Sequence, residues 1–272
     1  MQAENNTLYY IYDPMCSWCY AFEQSLEALQ SHLPADLHFK TILGGLAADT
    51  QTPMPIETQT MIKQAWRQIE KTVSNVHFNF DFWSKNTPYR STYPACRAIL
   101  AATNQGSEYA KPMRQAIQQA YYQEARNPSL NDVLIDSAKQ LGLDINRFSK
   151  DLQSLAIDIK LTEYRHFSRL LGVSSYPSLR LTLNTETYTI PIDYNTIDLT
   201  LDYIQQLHHS HKDSIIESPC IRDCCLNDKD ICQGCFRLLD EIMGWPYYGD
   251  TEKQAVLDQA AQRKNVYNKT LI

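Results

Sequence analysis

Eight cysteines are the residues of this 272-residue chain best suited to chemistry, and they fall in three places. Two stand at 16 and 19, one at 96, and five between 220 and 235. Cys16-Ser-Trp-Cys19 is a Cys-x-x-Cys pair, and residue types alone leave it open between a redox dithiol and half of a zinc site. Its setting decides. Leu8-Tyr-Tyr-Ile-Tyr12 is an aromatic, β-branched run ending at Asp13-Pro14, the pattern of a buried strand. Trp18, Phe22, Leu26, Leu29 and Leu33 then recur at helical spacing up to Pro34. Cys16 is thus expected where a strand gives way to a helix, where unpaired amide N–H groups favour an anion. A thiolate there attacks a disulfide, and a second thiol three residues on can resolve the mixed disulfide. Cys16 is the expected nucleophile and Cys19 the expected resolving thiol.

The second set, Cys220, Cys224, Cys232 and Cys235, has the spacing C-x3-C-x7-C-x2-C. Four thiolates in two close pairs can wrap one tetrahedral ion, zinc by preference and an iron–sulfur centre as the alternative. Turn formers at Asn227 to Asp230 and at Gly234 suit the knuckles such a site needs. Cys225 is a fifth thiol outside the expected ligand set, although it could exchange roles with Cys224. Cys96, in Pro94-Ala-Cys-Arg, falls on an apolar helical face and reads as a buried, inert thiol. His208, His209 and His211 read as solvated side chains at a helix end rather than as ligands.

The elements that must carry these residues follow from periodicity. Leu37 to Leu43 alternates as a second strand and stops at Gly44-Gly45, so the chain begins β–α–β with parallel strands. From about Ile56 to Leu170 helical patterns follow one another: Met61 to Val73, Ala95 to Ala102, Met113 to Tyr122, Val133 to Leu141 and Leu152 to Phe167. Tyr89, Tyr93, Tyr121 and Tyr122 on this stretch read as core, with a substrate groove as a second use. Strands return at Ser178 to Leu183 and Tyr188 to Ile190, and a helix runs from about Thr196 to His208. The expected organisation is an α/β domain in two halves, 1–55 and 171–212, around an α-helical insertion, 56–170. A cysteine-rich metal-binding module, 213–272, follows. Such a module is too small to bury much surface and needs a metal or disulfides. Its terminal helix is expected from Thr251, with Thr251 and Gln254 as a capping box.

Composition excludes several classes. A net charge of −6 argues against a nucleic-acid binder. No apolar run approaches the roughly 18 residues of a membrane span. The polar stretch Met1 to Thr7 lacks the order of a signal peptide. The chain therefore reads as cytoplasmic, where thiols are kept reduced and metal ligation or redox catalysis accounts better for eight cysteines than structural disulfides do.

Gly172-Val-Ser-Ser-Tyr-Pro177-Ser178 leads into the returning strand, with a proline where no ladder N–H is lost. Together with Asp13-Pro-Met-Cys-Ser-Trp-Cys-Tyr20 and the helical insertion, this segment resembles the DsbA family. Within it the chain is most similar to disulfide isomerases carrying Cys-Ser-Trp-Cys, relatives of 2-hydroxychromene-2-carboxylate isomerases and kappa-class glutathione transferases. The resemblance covers about residues 7 to 210. It implies a thioredoxin-like fold, a cis-proline at Pro177 beside the cysteines, and Tyr176 offering its backbone to a substrate. Ser17 and Trp18 are the further expected substrate contacts. Thiol or disulfide proteins, or glutathione as co-substrate, are the implied partners. The strongly oxidising members carry Pro-His between the cysteines, so their potential does not transfer to Ser17-Trp18. The isomerase and transferase relatives usually have serine where Cys16 stands. A glutathione-dependent isomerase or transferase, and a non-catalytic metal-binding protein, are the alternatives to a thiol–disulfide oxidoreductase. Ser218-Pro-Cys220-Ile, Cys232-Gln-Gly-Cys235-Phe-Arg237 and Asp240-Glu-Ile-Met-Gly-Trp245 resemble a small bacterial cysteine-rich domain of unknown function, over about residues 217 to 265.

Overall fold

The aromatic run near the start becomes the buried strand on which the fold is built. In the computed structural model, which describes residues 1–213, 217–222 and 225–270, every residue of β1 (Thr7–Tyr12) is buried. Two helices follow, α1 (Ser17–Ala21) and α2 (Glu23–His32), where the periodicity had suggested one. The break is a bend at Phe22, whose N–H still bonds the Trp18 carbonyl while its own carbonyl accepts from Leu26. Its ring packs against Tyr10 and Tyr194. Phe22, Leu26 and Leu29 form the buried stripe; Trp18 and Leu33 lie half-buried at its ends.

The chain crosses back into β2 (His38–Leu43), which pairs in parallel with β1, Thr7 opposite His38 and Tyr12 opposite Leu43. The insertion follows as α3 (Ile56–Thr72), α4 (Phe82–Lys85), α5 (Tyr93–Thr103), α6 (Ala110–Gln118), α7 (Asn131–Gln140), α8 (Ile145–Leu152) and α9 (Leu155–Leu170). Then β3 (Ser178–Leu183) lies antiparallel to β1 and β4 (Glu186–Ile190) antiparallel to β3. The sheet order is β2-β1-β3-β4. This is the β–α–β, helical insertion, β–β arrangement expected of a thioredoxin-like fold.

Two clusters fasten the insertion, one to the sheet and one to α1. Phe167 of α9, with Leu171 and Val173 beyond it, packs on Tyr9, Ile11 and Ile42. Each such side chain, wholly removed from water, contributes roughly 1.5–3 kcal/mol. On the insertion's other side Trp66 is fully buried among Phe78, Trp83 and Tyr122. A π-helical turn at Gln119–Gln123 continues α6 and carries Tyr121 and Tyr122 into the interior. Tyr122 stacks on Tyr20 of α1 at 4.5 Å, so the insertion reaches the helix that bears the cysteines. Tyr89 and Tyr93 are only half-buried.

The helix after the sheet, α10 (Asp198–Asp213), runs past the expected end at His208. His208 is consequently buried mid-helix rather than solvated at a terminus, while His209 is exposed and His211 half-exposed. The chain divides into two compact units, Met1–Gln205 and Gln206–Ile272. In the second, Asn227 closes a tight turn by accepting the N–H groups of Lys229 and Ile231 through its side chain. Short bridges join Leu226 to Cys232 and Ile231 to Leu238. Helices α11 (Leu239–Gly244) and α12 (Asp250–Thr270) are clamped by Arg263, which grips both oxygens of buried Glu241 at 2.7 and 2.8 Å. The cap of α12 differs from expectation. Glu252 accepts the Gly249 N–H, Thr251 lies inside the helix, and Gln254 reaches Asp258 instead. No helix among the described residues is long and apolar enough to cross a membrane.

Candidate active site

Cys16 occupies the N-cap of α1 in an extended conformation, 9% exposed, its N–H donating to the Asp13 carbonyl at 3.1 Å. The Cys16 Sγ faces the carbonyl oxygen of Tyr176 at 3.5 Å, across 160 residues of sequence. The Tyr176–Pro177 peptide bond is cis. Cys19 lies one turn into the helix and is completely buried. Burial first, and then the Cys16 sulfur beside it, push the Cys19 thiol well above its ordinary range. Cys16 thus keeps a small exposure at the start of a helix, and Cys19, with none, waits behind it as a protonated thiol. Because α1 has only five residues, the local amides of its first turn matter more than the macrodipole.

The loop facing Cys16 is held from the sheet. The Tyr176 hydroxyl donates to the Gly44 carbonyl at 2.9 Å, just beyond β2. The Tyr176 ring fills the space a Cβ at Gly44 would take, which accounts for a glycine there. Trp18, expected to meet substrate, is half-buried with its ring 4.9 Å from that of Tyr194; Ser17 is half-buried beside it. Arg165 stacks over Tyr93 at 4.6 Å and packs beside Gly45.

A model of the family described as "Thioredoxin" matches residues 9–192, two-thirds of the chain. The chain belongs to the thioredoxin family. Its thioredoxin fold is interrupted by a helical insertion. A candidate protein disulfide isomerase from Nitrosomonas europaea shares 27% identity with a TM-score of 0.64, over 78% of this chain and all of that one. The cytosolic disulfide reductase DsbM from Pseudomonas aeruginosa has the same fold, at 22% identity and a TM-score of 0.58, over 76% of this chain and 98% of DsbM. Among curated proteins, the ClpXP adapter protein SpxH of Halalkalibacterium halodurans is 26% identical over 151 residues, 54% of this chain and 49% of SpxH. The chain thus spans about half the length of the curated relative it matches. A second family model, "Protein of unknown function (DUF1289)", matches residues 218–264.

One residue of this thioredoxin-family site went unread in the sequence. Asp13 is fully buried, and its carboxylate accepts from the Met15 N–H at 2.8 Å, the Leu46 N–H at 2.6 Å and the Thr92 hydroxyl at 2.6 Å. The Cys96 thiol approaches the same carboxylate at 3.7 Å. Burial raises the Asp13 carboxyl above its usual range, although those donors oppose the rise. Cys96 is buried as expected, but beside this carboxylate rather than on apolar ground. Asp-Pro at a strand end reads as turn chemistry, and nothing in residue type or spacing marks the aspartate as internal.

In the C-terminal unit Cys232 and Cys235 are buried, while Cys220 and Cys225 are exposed. Cys224 lies outside the described residues. Among the described residues, no three cysteine, histidine or acidic side chains are gathered as a metal site requires. Arg237 is buried with them: its Nε donates to Cys235 Sγ at 3.4 Å and one Nη to Ser218 at 3.1 Å, and the other Nη has no partner among the described residues. A cavity of about 830 Å³ in this unit is lined by Lys229, Phe236, Arg263 and Tyr267 and by none of the cysteines.

Proposed function

We propose that the chain is a thiol–disulfide oxidoreductase or isomerase working through Cys16 and Cys19 in the cytoplasm. The observation that carries this reading is the placement of the Cys16 sulfur at a helix start, against the Tyr176 carbonyl, with Cys19 buried one turn behind. Cys16 attacks one sulfur of a substrate disulfide; that S–S bond breaks, a mixed disulfide forms, and the released sulfur takes a proton. Cys19 then gives up its proton and attacks Cys16 Sγ, releasing the second substrate thiol. Two electrons have passed to the substrate, and a Cys16–Cys19 disulfide remains for a thiol such as glutathione to reduce. In isomerisation the mixed disulfide is instead resolved by another thiol of the substrate. In this reading the carbonyl before Pro177 lines an extended peptide or glutathione along the attacking sulfur, a role its 3.5 Å approach to Cys16 Sγ supports. Serine at position 16 would have favoured a glutathione-dependent isomerase or transferase; a thiol pair favours redox exchange.

The test is thiol trapping across graded ratios of reduced to oxidised glutathione. A single two-electron transition that needs both cysteines is expected. Two thiols that stay reduced across the whole series would sink the redox reading.

The tail belongs to the same proposal as a zinc site formed by Cys220, Cys224, Cys232 and Cys235. What supports it is the donor set and Arg237, a buried cation against Cys235 Sγ whose charge a thiolate-rich centre would offset. Zinc would supply structural cross-linking in a unit with little core. Elemental analysis of the purified protein is expected to give one zinc per chain. Iron with visible absorbance would replace zinc by a cluster, and a metal-free, folded tail would end the proposal.

A further inference from the structure

We propose that Arg165 is a specificity-determining residue, whose guanidinium takes a carboxylate that the substrate carries a short reach from its reacting disulfide. The inference rests on the redox reading of Cys16 and Cys19 and names the class of disulfide that pair selects.

A continuous line of contacts leads from the attacking sulfur to Arg165. Cys16 Sγ stands 3.5 Å from the Tyr176 carbonyl oxygen. The Tyr176 side chain runs from there across Gly44, and its hydroxyl donates to the Gly44 carbonyl at 2.9 Å. Gly45, the next residue, lies under Arg165: a Cβ there would stand 2.8 Å from Arg165 Cδ and 3.0 Å from Tyr93 Cε1. Its φ of +65° also favours glycine. The loop continues to Leu46, whose N–H donates to the Asp13 carboxylate at 2.6 Å, so Arg165 borders the segment that braces the cysteine turn. One tyrosine side chain separates Arg165 from the neighbourhood of the sulfur. That is the reach of roughly two extended residues, at about 3.3–3.6 Å each.

The guanidinium is held in place but has no anion of its own. It lies 4.6 Å over the ring of half-buried Tyr93, which opens α5, and this stacking orients its plane. No ion pair or side-chain hydrogen bond engages it among the described residues, and its nitrogens stay open to solvent. The carboxylates on the adjoining stretches are already taken. Asp49, just past Gly45, and Asp158, two turns earlier on α9, both meet Arg97, at 2.8 and 3.3 Å. Arg97 is neutralised; Arg165 is not. In a chain of net charge −6, an oriented and unpaired arginine beside the site is where an anion is drawn. Its planar fork presents paired N–H groups that match the two oxygens of a carboxylate. Two sources supply such a group: the free carboxylates of glutathione, and an acidic side chain near the disulfide of a protein.

The experiment mixes the reduced full chain with peptide disulfides capped by mercaptoethanol, a neutral thiol. The two peptides differ only in carrying Glu or Gln at both positions two residues from the cysteine. The Glu peptide is expected to react about tenfold faster at low salt, with the ratio shrinking as salt rises. Oxidised glutathione and its carboxyl esters form a second pair. A preference in either pair supports the subsite, and the pair that shows it names the source. Arg165→Gln is expected to bring the ratio to about one, and Arg165→Glu to invert it. Arg165→Lys, which keeps the charge without the fork, should retain part of it and covers the case in which the other two do not fold. Lys150→Met, an exposed charge on α8, should leave the ratio as it is. Each ratio is read within one protein, so a general loss of activity does not imitate the effect. A ratio of one in the wild type for both pairs overturns the proposal, as does a ratio that survives in Arg165→Gln and Arg165→Glu. A wild type that reduces neither peptide counts against the redox reading instead. Equilibrium binding of the reduced Glu and Gln peptides to the Cys16→Ser chain then decides on Arg165, and equal affinities there overturn its role.

Discussion

Cys16→Ser is expected to abolish disulfide exchange, with a loss on the order of 10³-fold or more, because the attacking sulfur has no substitute in the site. Cys19 is sealed from solvent and cannot take over the first attack. Cys19→Ser should behave differently. Cys16 is 9% exposed where Cys19 has no exposure, so a first attack is expected to proceed and the mixed disulfide to accumulate, released only by an external thiol. Mass spectrometry after incubation with oxidised glutathione distinguishes the two: a single glutathione adduct at Cys16 in Cys19→Ser, and no adduct at residues 16 to 19 in Cys16→Ser. Equal adducts in both variants would mean that Cys19 is reachable, against the asymmetry argued here. A Cys19→Ser protein that turns over at the wild-type rate would point instead to a one-thiol, glutathione-dependent chemistry.

The placement of the cysteine pair was legible in the sequence for a physical reason. A buried strand running into an apolar helical stripe fixes where a Cys-x-x-Cys pair must sit, and the 3.6-residue period then puts its second thiol one turn in. The same periodicities delivered the parallel β1–β2 pair, the helical insertion and the returning hairpin. What stayed hidden depends on contacts between segments far apart in sequence. Asp13 meets Leu46, Thr92 and Cys96 only after three separate stretches have packed together. The bend at Phe22 accompanies ring packing against Tyr10 and Tyr194, which no local pattern encodes. At α12 two capping solutions compete within three residues, and Gly249 with Glu252 prevails over Thr251 with Gln254. His208 looked solvated because a helix end was placed too early, and a helix that continues turns that position inward.

Arg114→Met is expected to cost about 3–5 kcal/mol of stability at neutral pH, the range for breaking a buried ion pair by removing one partner. Arg114 lies on α6 with its side chain 6% exposed, and one Nη meets a Glu23 oxygen at 2.5 Å, Glu23 being 16% exposed at the start of α2. The guanidinium also covers the Tyr12 ring at 5.2 Å. Around the pair, Arg114 Nε, the second Glu23 oxygen, the Tyr10 hydroxyl and Gln118 Nε2 are buried without partners among the described residues. Those unmet groups give the pair little help, so Glu23 depends on Arg114. The pH dependence follows with a definite sign. Burial already raises the Glu23 carboxyl above its ordinary range, with Arg114 opposing the rise. Without Arg114 it rises further in the folded state only. A carboxyl raised on folding favours the folded state below its unfolded value, and that contribution is lost as pH climbs through the folded one. The deficit of Arg114→Met should therefore be largest at neutral pH and shrink as pH falls toward the ordinary carboxylate range. Arg114→Met with Glu23→Gln, which leaves no unpaired buried charge, should recover most of it. Denaturant midpoints of the wild type, the single and the double variant between pH 5 and 8 make the comparison. A loss that stays constant across that range and is not relieved by Glu23→Gln would mean that Arg114 acts through its packing on Tyr12 rather than through its charge.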